Sequence, residues 1–277
     1  MPASQRIMTR NATFQLWQAL LTNRRKRNQL GEMLVQGVRP ISLAVEHGWP
    51  VRALLYDESR PLSGWARDLL ATSGATPVAM APELLAELGE KAEGAPELVA
   101  VVGLPDDDLG RVPMGADFLG VMFDRPTTPG NIGSVIRSAD AFGAHGVIVT
   151  GHAADVYDPR SVRATTGSLF ALPAVRAPGP AEVMARVEQA RAGGVPVALV
   201  GTDEHGDVDL ADADLTGPVL VLVGNETSGL SHAWRERCDV TVSIPMSGAA
   251  SSLNAANAAT VVLYEASRQR RAAGRRG

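Results

Sequence analysis

Residues 244–265 read IPMSGAASSLNAANAATVVLYE, and the reading of this stretch decides the fold. A short β-type run, Val240, Val242 and Ile244, meets Pro245, whose missing N–H ends a strand. Ser247-Gly248-Ala249-Ala250 then turns the chain, and Ser251 or Ser252 is expected to cap a helix. From Ser247 to Tyr264 no side chain is charged. A helix without a charged face is normally covered on more than one side. It does not suit a membrane span, because Ser251, Ser252, Asn254 and Asn257 interrupt the apolar positions. Leu253, Ala256, Thr260 and Leu263 fall on one helical stripe, Asn254 and Asn257 on another. A buried amide without a partner costs roughly 1–3 kcal/mol. Backbone, a ligand or a second chain is therefore expected against the two asparagines.

Working outward, 277 residues suit two domains of ordinary size, and 45% hydrophobic with 20% charged residues is a globular composition. A single cysteine, Cys238, excludes an internal disulfide and points to a reducing compartment. The five histidines are scattered without ligand spacing, so no metal is expected. The polar N-terminus lacks a signal-peptide core and no apolar run suits a bilayer, which gives a cytoplasmic expectation with no membrane partner. A net charge of −4 does not announce a nucleic-acid binder, but charge is uneven. Arg24-Arg25-Lys26-Arg27 form a basic block near the start, and Arg268, Arg270, Arg271, Arg275 and Arg276 cluster at the end. Such runs are ordinarily solvated faces or frayed tails; the sharper reading is a local phosphate footprint.

Along the chain, Phe14, Leu16, Trp17, Leu20 and Leu21 give a helical stripe running into the basic block. Strands are expected at 33–35, 51–56, 76–80 and 98–102, and helices at 40–45, 64–71 and 82–88, which makes residues 1–104 a small α/β domain. Residues 105–116 turn to Asp, Gly and Pro and read as a linker. From 117 to 271 continuous apolar runs at 118–123, 146–150, 197–201 and 219–224 indicate a mostly parallel sheet covered on both faces. Residues 272–277 read as a disordered basic tail.

In such sheets ligands sit beyond the carboxyl ends of the strands. The loop after the first run carries two prolines and Asn131, expected to cap a helix that buries Ile132, Val135, Ile136, Ala139 and Phe142 and stops at Gly143. Arg137 projects from another face of that helix and is a candidate for phosphate or carboxylate. Gly224-Asn225-Glu226-Thr227-Ser228-Gly229-Leu230 offers glycines for close backbone approach and a lone carboxylate, or a tight turn with Glu226 capping amides. Asp203-Glu204-His205-Gly206-Asp207 lacks alternating calcium ligands and reads as a polar loop. GxGxxG, GxxxxGK[ST] and GxSxG are all absent, which argues against dinucleotide, triphosphate and serine-hydrolase chemistry.

Three segments in order resemble the signature motifs of the SpoU/TrmH ribose methyltransferases of the SPOUT superfamily: Asn131-Ile132-Gly133-Ser134 through Arg137 to Gly143; Leu222 to Leu230; and Ile244-Pro245-Met246 with Ser251-Ser252-Leu253-Asn254. The N-terminal part is similar to the L30e-like substrate-binding domain that precedes this catalytic domain, although Gln36 stands where many relatives carry an acid, so no role is carried over to it. The resemblance implies a parallel-sheet SPOUT domain with a deep trefoil knot, S-adenosylmethionine held around Gly224, Ile244 and Leu253 with Thr202 and Met246 nearby, and a homodimer whose active sites draw on both chains. It implies 2′-O-methylation of large-subunit (23S) ribosomal RNA, at a uridine, with Arg137, Asn131, Glu226, Ser252 and Asn254 as catalytic residues. Arg24, Arg25, Lys26, Arg27 and Arg39 are the cations expected on RNA. A transfer-RNA ribose methyltransferase and an inactive RNA-binding or ribosome-assembly protein are the alternatives, and the resemblance leaves antibiotic resistance and housekeeping modification both open.

Overall fold

The computed structural model describes residues 5–89, 95–250 and 252–274; Ser251, Arg275 and Arg276 of the segments above lie outside them. The chain divides into two units: residues up to Pro105 together with Tyr157–Val162, and Asp106–Val156 with Arg163 onward.

In the first unit the chain runs β1 (Gln5–Ile7), α1 (Ala12–Thr22), α2 (Arg24–Leu30), β2 (Glu32–Gln36), α3 (Val38–Glu46), β3 (Val51–Tyr56), α4 (Gly64–Thr72), β4 (Thr76–Met80), α5 (Pro82–Leu88) and β5 (Leu98–Gly103). The sheet order is β1-β4-β3-β5-β2. β1, β4 and β3 are parallel, and β5 runs antiparallel to both β3 and β2. Phe14 and Leu20 of α1 and Leu84, Leu85 and Leu88 of α5 close over Leu34, Leu55, Val78 and Val99. The helix expected to run into the basic block breaks instead at Asn23, which accepts from Lys26 N and starts α2 afresh. That break turns Arg27 inward. It is 2% exposed, with Nη1 donating to the Leu20 carbonyl at 2.5 Å and Nη2 4.0 Å from Asp158. The RNA role expected for Arg27 is therefore corrected: its donors face the protein interior.

The second unit follows as β6 (Leu119–Asp124), α6 (Pro129–Ala141), β7 (Gly146–Thr150), α7 (Pro159–Thr165, begun in the first unit), α8 (Ser168–Ala171), β8 (Ala174–Ala177), α9 (Pro180–Ala192), β9 (Ala198–Thr202), β10 (Val208–Asp209), β11 (Val219–Val223), α10 (His232–Arg235), β12 (Val240–Ser243) and α11 (Ala255–Ala272). Its seven strands, ordered β10-β12-β9-β11-β6-β7-β8, are parallel throughout. The apolar runs at β6, β7 and β11 are buried at every position, as expected for central strands covered on both faces. Among the described residues no helix is long and apolar enough to cross a membrane.

Three expectations change here. The segment read as a linker is packed: Leu109–Arg111 form a 3₁₀ turn, and Val112 and Met114 enter the core. Two apolar anchors in an Asp/Gly/Pro-rich stretch give no periodicity to read. Asn131 does not cap α6; Pro129 takes the first helical position, Thr128 becomes the N-cap, and Asn131 lies inside the first turn. Asn254, rather than Ser251 or Ser252, caps α11, its Oδ1 accepting from Ala256 N at 2.9 Å and Asn257 N at 3.4 Å. Leu253 consequently precedes the helix and is 39% exposed. The buried stripe is Ala255, Ala256, Ala259, Val262, Leu263 and Ala266, facing α6, where Ser138 Oγ and Thr260 Oγ1 lie 2.7 Å apart.

Arg270, expected among the surface cations of the tail, is 4% exposed. Its guanidinium donates to the carbonyls of Leu215 (3.1 Å), Asp117 (2.6 Å), Phe118 (2.8 Å) and Gly217 (2.5 Å), fixing α11 to the entry ends of β6 and β11. Arg268 pairs with Glu265 at 2.7 Å, and Arg271 donates to Ser267.

Candidate active site

The carboxyl ends of β9, β11 and β12 release three loops around one cavity of about 320 Å³, a size ordinary for small-molecule sites. Thr202, Asp203 and Glu204 form one wall; Gly224 to Gly229 form the second; Ile244, Met246, Ser252 and Leu253 form the third. Ala255 and Ala258 at the start of α11 and Arg235 of α10 complete it. Thr202, Gly224, Ile244, Met246 and Leu253 thus meet at a single concavity.

The wall from β11 is shaped by close backbone approach. Asn225 and Gly229 form an isolated antiparallel bridge, and Gly229 takes φ +64°. A Cβ on Gly224 would stand 2.2 Å from Gly229 C and Leu230 N. The glycine at 224 therefore serves the closure of its own loop. Asn225 fastens that loop, donating to the Arg125 carbonyl at 2.7 Å and accepting from Thr227 N and Ser228 N.

Glu226 points from this loop to the entrance of α6. Oε2 accepts from Thr127 N (3.1 Å) and Thr127 Oγ1 (3.0 Å), and Oε1 from Thr128 N (3.3 Å) and Asn131 Nδ2 (2.9 Å). A carboxylate at a helix N-terminus also gains from the aligned peptide dipoles. Burial works against its ionisation, yet the hydrogen bonds from Asn131 and Thr127 prevail and hold the carboxyl below its ordinary value. Asn131 passes the network on, since its Oδ1 accepts from Asn254 Nδ2 at 3.2 Å. Glu226, Asn131 and Asn254, one from each motif, thus form one hydrogen-bonded chain that ends at the cap of α11.

Arg137 stands apart. It is exposed on α6, makes no hydrogen bond or ion pair among the described residues, and does not line the cavity. Six residues beyond Asn131, it sits roughly 9 Å along the axis and about 120° around it. Ser252 is on the cavity wall and exposed. Arg24, Arg25 and Arg39 are exposed on the first unit, and Lys26 is half-buried beside Gln29. In the sequence, Asp203 and Glu204 are set aside as part of a polar loop and Arg235 of α10 is not singled out; neither segment gives a sign of which groups face a ligand. Among the described residues no group of three His, Cys, Asp or Glu side chains could hold a metal ion.

Residues 119–264 match the SpoU rRNA Methylase family, and residues 11–100 the SpoU L30e-like domain. The chain belongs to the SpoU methylase family. It is 70% identical, over 97% of its length and 94% of the relative's, to the 23S rRNA (uridine(2479)-2'-O)-methyltransferase of Streptomyces viridochromogenes. The crystal structure of the SpoU methyltransferase AviRb from that organism, in complex with AdoMet, superimposes with a TM-score of 0.91 at 71% identity, covering 94% of this chain and 98% of AviRb. The AdoMet-bound rRNA methyltransferase from Sinorhizobium meliloti is similar at 28% identity and TM-score 0.83, covering 96% and 98%.

Proposed function

We propose that this protein transfers the methyl group of S-adenosylmethionine to the ribose 2′-hydroxyl of a uridine in 23S ribosomal RNA, in the cytoplasm. The observation that carries this reading is the meeting of the three motif segments in one hydrogen-bonded network beside a single cavity. The lining suits the cofactor: Val242, Ile244, Leu253 and Ala258 offer an apolar slot for a purine, and Thr202 and Glu204 offer polar groups for hydroxyls and ammonium. When bound, S-adenosylmethionine supplies a methyl on a positive sulfur that leaves as a neutral thioether. The protein must supply alignment, worth roughly 7–11 kcal/mol in well-oriented systems, and a route for the hydroxyl proton.

Arg137 is assigned to the phosphate beside the target ribose, where it stabilises developing oxyanion character. A guanidinium with pKa above about 12 does not act as the literal base, so the proton passes to phosphate or water. Asn131, Glu226, Ser252 and Asn254 order the loop and the ribose. The strand order, with β12 beyond β9 while α11 returns to α6, supports a deep trefoil knot in the C-terminal third. Exposed Val261 (38%) and Tyr264 (50%) on the charge-free stretch of α11 before Glu265, with exposed Met246 and Leu253 in the segment leading to it, support a homodimer, and Arg137 lying off its own cavity suits a site completed by the second copy.

Ribose methylation mapped on 23S and transfer RNA, with and without the protein, tests the reading. One new 2′-O-methyluridine in 23S RNA is expected. Modification of transfer RNA alone would replace the substrate, and no modification with no cofactor binding would leave an RNA-binding protein. Expression in a sensitive host is expected to raise resistance to a drug bound near that uridine; unchanged sensitivity assigns a housekeeping role.

A further inference from the structure

Of the ionisable groups on the cavity wall, Glu226 is turned to α6, which leaves Asp203, Glu204 and Arg235. Glu204 is exposed. Asp203 and Arg235 are organised together. Arg235 Nε donates to the Leu230 carbonyl at 3.1 Å, Nη2 lies 3.4 Å from Asp203 Oδ2, and the same nitrogen is 3.3 Å from where a Cβ on Gly229 would stand. Asp203 is held from its other side: Oδ1 accepts from His205 N at 3.0 Å, and its own N–H donates to the Val242 carbonyl at 3.1 Å. One guanidinium therefore touches the end of the β11 loop and the loop after β9, and Asp203 passes the connection to β12. These segments carry the three walls of the cavity.

We propose that Asp203 and Arg235 are positioning residues that set the spacing of the cofactor cavity by strapping the β9 loop to the β11 loop. The inference rests on the reading of the cavity as the S-adenosylmethionine site. Two donors of one planar fork are used in two directions, so a lysine cannot replace the arginine. The aspartate side chain is 21% exposed and the arginine 52%, so the strap is open to solvent on one side.

The test is calorimetry with S-adenosylmethionine and steady-state methylation of 23S RNA, on the full chain and on Arg235→Gln, Arg235→Lys, Asp203→Asn and the double variant Asp203→Asn/Arg235→Gln. A lost charged hydrogen bond in a half-exposed setting is expected to raise both Kd and KM for the cofactor by about five- to twentyfold. The turnover number at saturating cofactor stays within about twofold, the signature of weakened binding without loss of transition-state contacts. Arg235→Lys does not rescue, and the double variant is no worse than either single one. Wild-type Kd in the single variants, rescue by lysine, additive losses, or a fall in turnover with KM unchanged each overturns the inference. Absence of cofactor binding by the unsubstituted protein overturns the functional reading instead. Thermal unfolding of each variant separates these outcomes from misfolding, and Asp203→Glu, which keeps the charge and displaces it by one methylene, gives an intermediate Kd if spacing is what the pair sets and wild-type Kd if it is not.

Discussion

Glu226 keeps its carboxylate ionised against the cost of burial because Asn131 and the Thr127 amide and hydroxyl all donate to it. Its folded pKa lies below the ordinary value of 4.5, so the stability it contributes is present above that value and lost as pH falls through the folded one. The difference in unfolding midpoint between wild type and Glu226→Gln is expected to be largest near neutrality and to shrink on acidification; a pH-independent difference would show that the charge contributes nothing. Asn254 uses both ends of its amide, Oδ1 on the helix cap and Nδ2 on Asn131. Asn254→Ala should cost about 1 kcal/mol in chemical denaturation from the cap alone, whereas Asn254→Asp keeps the cap and loses the donor to Asn131. For Arg137 the informative change is to lysine: retained charge with a large loss of turnover supports the need for a planar fork, and near-wild-type turnover removes it. Cys238, pushed up to about 11 by burial and by Asp239, should undergo slow exchange with a chromogenic disulfide at neutral pH, read as release of the coloured thiolate.

At the scale of elements, the apolar runs marked the central strands to within a residue or two, because strands buried on both faces need no alternation to be found. The edge strands β8 and β10 escaped notice, being short and broken by Arg176 and Asp209. The site was legible where it rests on loop chemistry: the glycine at 224, the carboxylate at 226 and the amides at 131 and 254 occupy strand ends and helix starts. Which residue caps which helix was not legible, since Ser251, Ser252 and Asn254 are chemically equivalent candidates until packing against α6 selects one. Nor could a run of arginines show that Arg27 and Arg270 face inward, because charge in sequence carries no direction. Arg270→Met tests the second of these. It strands several buried carbonyls and is expected to cost on the order of 2–4 kcal/mol in denaturant unfolding.

For the whole molecule, a body of net charge −4 approaching RNA must rely on local cations; of the N-terminal ones expected on RNA, Arg24, Arg25 and Arg39 are exposed and Lys26 is half-buried. Replacing those three arginines with glutamine is expected to weaken RNA binding at every sequence alike and to flatten its dependence on salt, whereas Arg27→Gln should lower the unfolding midpoint instead. Filter binding across a salt series distinguishes the two. Val261→Asp with Tyr264→Asp should yield a monomer by sedimentation if the charge-free first half of α11 meets a second copy. The guanidinium of Arg270 joins residues that stand 153 positions apart, at the two extremes of the second unit. Such long-range closure is slow to search for. Until Arg270 has been made, a nascent chain holds β6 without that clasp, so closure of the second unit waits for α11.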